Sequence, residues 1–361
     1  MKKSKLLSFA IAFILCLVLS KNVYADIKGD LDGDGVVTAY DAYLSLLMTD
    51  EEQIADEELI ITDINNDQQV TQEDTDLILK YAAGIVEDES MWIVESEEEE
   101  PINNYYYEQL NDNEKIIYDG LARAQEKAVA DKQKINLGTG LNDYLKQDKE
   151  SIKEQNTNAL IAFQYDHADN INVDEVSITP YITMENNEIV NGGKLTTYLP
   201  TNMKDVDIKQ AKEDLENAKN EAIKGLAGKT DYDKILYLHD YLIKVNDYDN
   251  TLGKATGSYN AYGALVKGCS VCEGYAKAYK YLLNSVDVEC EIIVSATHAW
   301  NAVKLEEQWY YVDCTWDDLG GSKISYEYFL RGEDLESVRA HTLEKLGKLV
   351  YPNMSKTAYR K

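Results

Sequence analysis

Cys272 stands in the stretch GCSVCEGYA (268–276), His298 follows in HAWN, and Asp313 in YVDCTWDD. A thiol attacks an amide as thiolate, so a nucleophilic cysteine needs a pKa below its ordinary value of about 8.5. The start of a helix supplies part of that, because its free amide hydrogens and partial positive charge favour an anion. The apolar pattern after Cys272 predicts such a helix over 271–285, with Tyr275, Ala276, Ala278, Tyr279 and Leu282 on its buried side. His298 can complete an ion pair with the thiolate, and Asp313 can fix the imidazole tautomer and support its charge. The chemistry of that order of residues is thiol acyl transfer. The backbone amide of Cys272 can donate to an oxyanion, with Tyr262 a candidate second donor and Trp300 a wall of the site.

The hairpin that follows must bring base and acid together. Strands are predicted over 286–295, 299–305 and 308–314. If Glu306 and Glu307 form a two-residue turn, Leu305 pairs with Gln308 and Trp300 faces Asp313. His298 and Asp313 then share a face as diagonal neighbours. An odd loop without a bulge would place them on opposite faces.

Other roles compete for these residues. Cys290, on an apolar strand, and Cys314 read as core. Cys269 and Cys272 form C-x-x-C, which admits a reversible disulfide that would mask the nucleophile. A zinc site drawn from Cys269, Cys272, Cys290 or Cys314 with His298 lacks a second close pair. His239 lies mid-helix and reads as structural, and Glu273 as a charge complementing the helix dipole.

Upstream, a long helix is predicted over 111–134, capped by Asn111 or Asn113. The span 137–155 reads as loop plus helix, 156–166 as helix, and the alternation in VDEVSITPYITM and IVNGGKLTTYL as two strands. Helices return over 205–226 and 231–247. Helices followed by a sheet give an α+β class.

The N-terminal part carries an internal repeat. Asp30, Asp32, Asp34, Val37, Thr38, Asp41 and Leu44 recur 33 residues later as Asp63, Asn65, Asp67, Val70, Thr71, Asp74 and Leu77. The spacing is that of a calcium loop: oxygen ligands at positions 1, 3, 5 and 12, with the position-7 carbonyl from Val36 or Gln69. Two calcium ions are expected, one in each loop, and none for catalysis. Asp41 and Asp74, at position 12, each open a predicted helix. Gln68 replaces the position-6 glycine of the first loop, Gly35.

The net charge is −29; residues 26–100 contribute 24 acids against two lysines, so the acid is concentrated in this module. That balance argues against nucleic acid and anionic membrane as partners and for bound cations. Residues 87–104, which include SEEEEP, read as a solvated linker. At the N-terminus, Lys2, Lys3 and Lys5 precede an apolar run over 6–19, and Val23-Tyr24-Ala25 supplies small residues for cleavage. The run is shorter than the ~20 residues of a membrane helix. Residues 1–25 are expected to be a signal peptide, and the product to be extracellular with no membrane segment after cleavage.

Two resemblances follow from these motifs. The paired loop-helix units of residues 26–86, with aspartate at position 12, resemble the dockerin module that plugs secreted enzymes into a cohesin-bearing scaffold, as in cellulosome-like complexes. The resemblance implies a cohesin partner chosen by loop positions 10 and 11, here Ala39-Tyr40 and Gln72-Glu73. VCEGYA, HAWN and VDCTWDD, with HDYL, SYNAYGAL and the terminal His341, YP and Tyr359, resemble the bacterial transglutaminase-like superfamily. It implies a papain-like α+β domain over 105–361, with its catalytic core about 230–320 and a nucleophile helix packed on an antiparallel sheet. Nucleophile, base and orienting acid then fall on Cys272, His298 and Asp313. The superfamily includes peptidases, amidases and protein cross-linkers; a peptidase or amidase acting on protein or peptide amides is the expectation, with a cross-linking or deamidating enzyme, or a non-catalytic tethered binding module, as alternatives. One departure is DHADNINVDE (166–175), where a DHPE-type aromatic-rich segment is expected.

Overall fold

The computed structural model describes residues 28–31, 37–49, 61–65, 69–83, 104–127, 132–137, 141, 144, 147–185, 188–251, 253–321, 323–333 and 341–360. The chain divides into two compact units, Met1–Pro101 and Ile102–Lys361. The expected signal peptide, Asp32, Asp34, Val36, Asp67 and residues 87–103 of the expected linker lie outside the described residues. Among those described, no helix is long and apolar enough to cross a membrane.

In the first unit the sequence repeat is also a backbone repeat. Helices α1 (Ala39–Met48) and α2 (Gln72–Ala82) are capped by Thr38 and Thr71 with the same dihedrals, φ −127° and ψ 174°. Each helix begins two residues before the aspartate expected to open it. The reason is a reciprocal cap: the threonine hydroxyl accepts from the second helical amide, and the aspartate at the third helical position accepts from the threonine N–H. Val37, Ala42, Ile64 and Ile78 pack together beneath them, with Leu31, Leu77 and Tyr81 against their edge. The Ser45 and Thr75 hydroxyls, 2.9 Å apart, join the two helices.

In the second unit, Asn111 and Glu114 exchange backbone-to-side-chain bonds at the start of α3 (Asp112–Lys127). The helix was expected to reach residue 134; instead Lys132–Asn136 forms strand β1. Its pairing with the later strand β3, Lys132 opposite Tyr198 through Asn136 opposite Lys194, overrides the local helical pattern. Helix α4 (Lys149–Asp166) starts earlier than the apolar pattern suggested because Asp148 accepts from the amides of Glu150 and Ser151. Strands β2 (Glu175–Glu185) and β3 (Glu188–Tyr198) form the expected hairpin, and the sheet order is β1-β3-β2.

Then come α5 (Ile208–Ala222), α6 (Asp231–Val245), β4 (Asp247–Tyr248), α7 (Ala261–Leu265), β5 (Cys269–Ser270) and α8 (Cys272–Asn284). Strands β6 (Cys290–Val294), β7 (Ala299–Leu305) and β8 (Gln308–Val312) follow, and the one-turn helix α9 (Cys314–Asp317) closes the series. The sheet β6-β7-β8 is antiparallel, whereas the short β4 and β5 pair in parallel. The short elements β4, β5, α7 and α9 were not foreseen; two to five residues carry too little periodicity to register.

Helix α8 is the centre of this unit. Its Tyr275, Ala278, Tyr279 and Leu282 share one core with Ile235, Leu238 and Leu242 of α6 and with Cys290, Val303 and Val312 of the sheet. Ala276 meets Ile292 and Ala299, with Cys272 beside them. The fully buried Lys280 and Glu291 pair at 2.6 Å between α8 and β6. Burial pushes the Glu291 carboxyl up to about 7 against the opposing pull of Lys280. The molecule is thus a mixed fold in which a central helix packs on an antiparallel sheet, the α+β arrangement read from the sequence.

Candidate active site

The site begins with the loop that seats α8. Asp249 is buried and accepts from Thr251 N–H (2.7 Å), Thr251 Oγ1 (2.5 Å), Ala255 N–H (3.2 Å) and Ser258 Oγ (2.7 Å). Burial alone would raise its pKa, yet these four donors hold it at about 2. The loop so fixed presents Ser258 O to the N–H of Val271, the residue that caps α8. Gly274 permits this closeness: a Cβ there would lie 2.6 Å from Ser258 O and 2.6 Å from Ser270 Cβ. Sequence reading missed Asp249 because its partners are local loop groups without a motif.

Cys272 is the first residue of α8, half-buried, and no side chain caps that helix end. Its first-turn amides therefore face the thiol side of the helix without a competing side-chain acceptor. Glu273 pairs with Lys277 at 2.7 Å, one turn along. On β7, Asn301 Nδ2 donates to Ala276 O at 2.9 Å, tying the strand after His298 to the helix after Cys272.

The hairpin test comes out as the two-residue turn requires. Glu306 and Glu307 both adopt positive φ, 50° and 61°, and Leu305 pairs with Gln308. These are the dihedral signs of the turn that matches strand twist. The ladder ends at Asn301 opposite Val312, and Asp313 turns out of it to cap α9. There its Oδ1 accepts from Trp316 N–H at 3.0 Å, and His298 Nε2 lies 2.6 Å from its Oδ2.

His298 is 9% exposed, and Asp313 is fully buried. Burial would lower the imidazole pKa, but hydrogen bonds to Asp313 and to the Cys272 thiol overcome it and carry the group up to about 9. The carboxyl of Asp313 feels a raising effect from burial, outweighed by bonds from His298, His341 and the Trp316 amide, so it is held below the usual range. With Nε2 on the carboxylate, Nδ1 is the nitrogen left for Cys272. Trp300 stacks on the imidazole at 5.6 Å and 15°, and the partly exposed Trp316 tilts against it at 5.7 Å. The structure therefore brings Cys272, His298, Asp313 and Trp300 together. Tyr262 is buried in the main core on α7, with Lys267 Nζ 4.9 Å above its ring.

Two features were not read as part of the site. His341 Nε2 lies 2.8 Å from the same Asp313 Oδ2 that binds His298. His239, on α6, contacts Asp240 at 3.0 Å and Asp317 of α9 at 3.2 Å, bracing the turn that carries Asp313. Cys290 and Cys314 are buried, and burial raises both thiols. Cys269 is half-buried, raised by burial and then by Asp249 and Asp247, and the four cysteines among the described residues are free. The segment DHADNINVDE serves the fold: buried Asp166 accepts from the amides of Tyr106 and Tyr107 and from Tyr118 Oη, and burial lifts its carboxyl to about 6.

Among the described residues, one group of three could hold a metal: His298, Asp313 and His341, whose ligand atoms lie within 4.8 Å of one another. Both Nε2 atoms already sit at hydrogen-bond distance from one carboxylate oxygen. His341 Nδ1 is buried without a partner among the described residues, lacking the outer hydrogen bond that orients a metal-bound histidine. The cluster fits a chain of shared protons better than a metal centre.

In the first unit, Asp41 Oδ1 accepts from Leu31 N–H and Asp74 Oδ1 from Ile64 N–H, each at 2.8 Å. Each fully buried carboxylate thus draws the second and ninth positions of its loop toward itself. The other expected oxygen ligands Asp32, Asp34 and Asp67 lie outside the described residues. Ala39, Tyr40, Gln72 and Glu73 are exposed in the first turns of the two helices.

A family model described as Transglutaminase-like superfamily matches residues 220–314. No curated protein matches the sequence. One of the solved structures it matches, titled "Crystal structure of a TGase", is 12% identical with a TM-score of 0.28; the match covers 46% of this chain and 50% of that one. The chain thus spans about half the length of that structure, at a score that adds nothing to the fold argument. The family match encloses Cys272, His298 and Asp313 and ends one residue beyond the aspartate, so the chain carries a transglutaminase-like domain.

Proposed function

We propose that this chain is a secreted, scaffold-docked cysteine enzyme that hydrolyses peptide or protein amide bonds. The observation that carries the catalytic reading is the buried His298–Asp313 pair at 2.6 Å, its imidazole raised in part by the neighbouring Cys272 thiol, which sits at the uncapped start of helix α8. Cys272 Sγ attacks the amide carbonyl, and the backbone amide of Cys272 is the donor for the oxyanion. His298 passes its proton to the departing amine, leaving a thioester on Cys272. Water, activated by the neutral imidazole, then releases the acid and restores the thiol.

The address rests on the N-terminal unit. Asp30, Asp32, Asp34, Val36 and Asp41 would hold one calcium ion, and Asp63, Asn65, Asp67, Gln69 and Asp74 the other. Calcium would supply the charge that lets these oxygen ligands converge, and the helices would present Ala39, Tyr40, Gln72 and Glu73 to a cohesin domain. The exposed aromatic side chains of Tyr40 and Tyr43 on α1 favour a protein partner for that face.

Incubation with a peptide library, with and without an added primary amine, tests the activity by mass spectrometry. Chain cleavage dependent on Cys272 supports the proposal. A mass gain by the amine would make the enzyme a cross-linker instead. If neither appears and Cys272→Ala changes nothing, the domain is a tethered binding module.

A further inference from the structure

His341 lies beyond the matched segment 220–314. Its Nε2 is 2.8 Å from Asp313 Oδ2, the oxygen that also faces His298 Nε2 at 2.6 Å. Since Asp313 is ionised and buried, both histidines must donate to it. The ring of His341 is gripped on several sides: Trp300 lies 4.6 Å away and Trp316 4.8 Å, both edge-on, and Tyr328 stacks at 5.6 Å. Its plane stands at 89° to that of His298. Such an enclosure fixes a ring in one orientation, and the orientation chosen aims an N–H at the carboxylate.

We propose that His341 is a positioning residue for the catalytic pair, a second N–H donor that keeps Asp313 ionised and aimed at His298. The inference rests on Cys272 and His298 acting as a pair, as proposed above. A fully buried carboxylate stays charged only while donors replace its lost water. Among the described residues Asp313 has three: the Trp316 amide on one oxygen, and the two imidazoles on the other. Without His341 the carboxylate takes up a proton more readily, and His298 loses the counter-charge that supports its imidazolium. Among the described residues, the titratable groups facing Asp313 are His298 from β7, His341, Tyr328 and Cys314 of α9. Of these, the two imidazoles reach its carboxylate oxygens.

Two substitutions separate donation from packing. His341→Phe keeps an aromatic ring among Trp300, Trp316 and Tyr328 and removes the donor. His341→Gln places an amide donor at the same reach and removes the ring. The probe is alkylation of Cys272 by iodoacetamide, followed by intact mass across pH, which needs no substrate. The phenylalanine variant should alkylate about tenfold more slowly near neutrality, the effect of losing one hydrogen bond to a charged group. Its acidic limb should move to higher pH, and the glutamine variant should stay near wild type.

A normal phenylalanine variant, or equal losses in both variants with unchanged melting temperatures, would overturn the proposal. Should either variant fail to fold, the wild type supplies the answer by nitrogen-15 NMR of histidine rings. A protected Nε2–H on His341 is required, and its absence overturns the assignment. Alkylation kinetics of wild type and the two variants that follow the proposed pattern while no peptide is cleaved would sink the hydrolase reading and leave this one standing.

Discussion

His298 Nε2 lies 2.6 Å from Asp313 Oδ2, at the end of a hairpin whose two-residue turn sets which face each strand presents. That contact leaves the other ring nitrogen for Cys272, and the carboxylate and the thiol together account for an imidazole raised to about 9 despite its burial.

The first prediction concerns pH. The folded pKa of His298 lies above its ordinary value of about 6.5. Its contribution to stability is therefore fully present below about 6.5 and is lost as pH rises through about 9. The loss is on the order of 3 kcal/mol. The melting temperature of wild type should fall between those limits by more than that of His298→Gln. Equal falls in the two proteins would contradict it.

The second concerns Asp249. Asp249→Asn leaves a buried side chain that can accept from fewer of its four donors. It should cost about 2 kcal/mol of stability and slow alkylation of Cys272, because the loop it organises seats α8 through Ser258 O. The native carboxyl, depressed to about 2, contributes stability above about 3.9 that is lost as pH falls through about 2. Denaturant melts and alkylation rates measured on the same variant check both effects.

The third tests the close approach at Gly274. Gly274→Ala sets a methyl 2.6 Å from Ser258 O, so helix or loop must shift. Alkylation should slow even though alanine is the better helix former. A stabilised variant with a normal Cys272 would show that the contact is slack.

Calcium removal provides the fourth. A chelator should unfold the N-terminal unit, detected by loss of its helical signal in an isolated 26–101 fragment and by loss of cohesin binding in the full chain. Cys272 should alkylate at an unchanged rate. Simultaneous loss of both properties would mean that the two units do not act independently.

Much of the second unit was legible because its signals were local or periodic. The stripe after Cys272 located α8 to within one residue at each end, and the register of β7 and β8 followed from Glu306 and Glu307 alone. The helix expected through residue 134 failed because β3, some 60 residues later, claims Lys132–Asn136 as an edge strand. His341 escaped as a working residue for a similar reason. It lies 28 positions beyond Asp313, past α9 in chain whose described residues form no regular helix or strand, and only folding brings its ring to the carboxylate. The repeat at Thr38 and Thr71 was visible as composition, but its role as a helix cap required the backbone.

The most direct test of the central claim is intact-mass analysis of the enzyme quenched in acid during turnover of a peptide it cleaves. The account predicts an acyl adduct on Cys272, absent in Cys272→Ala together with all cleavage. Cleavage that persists in Cys272→Ala would contradict it.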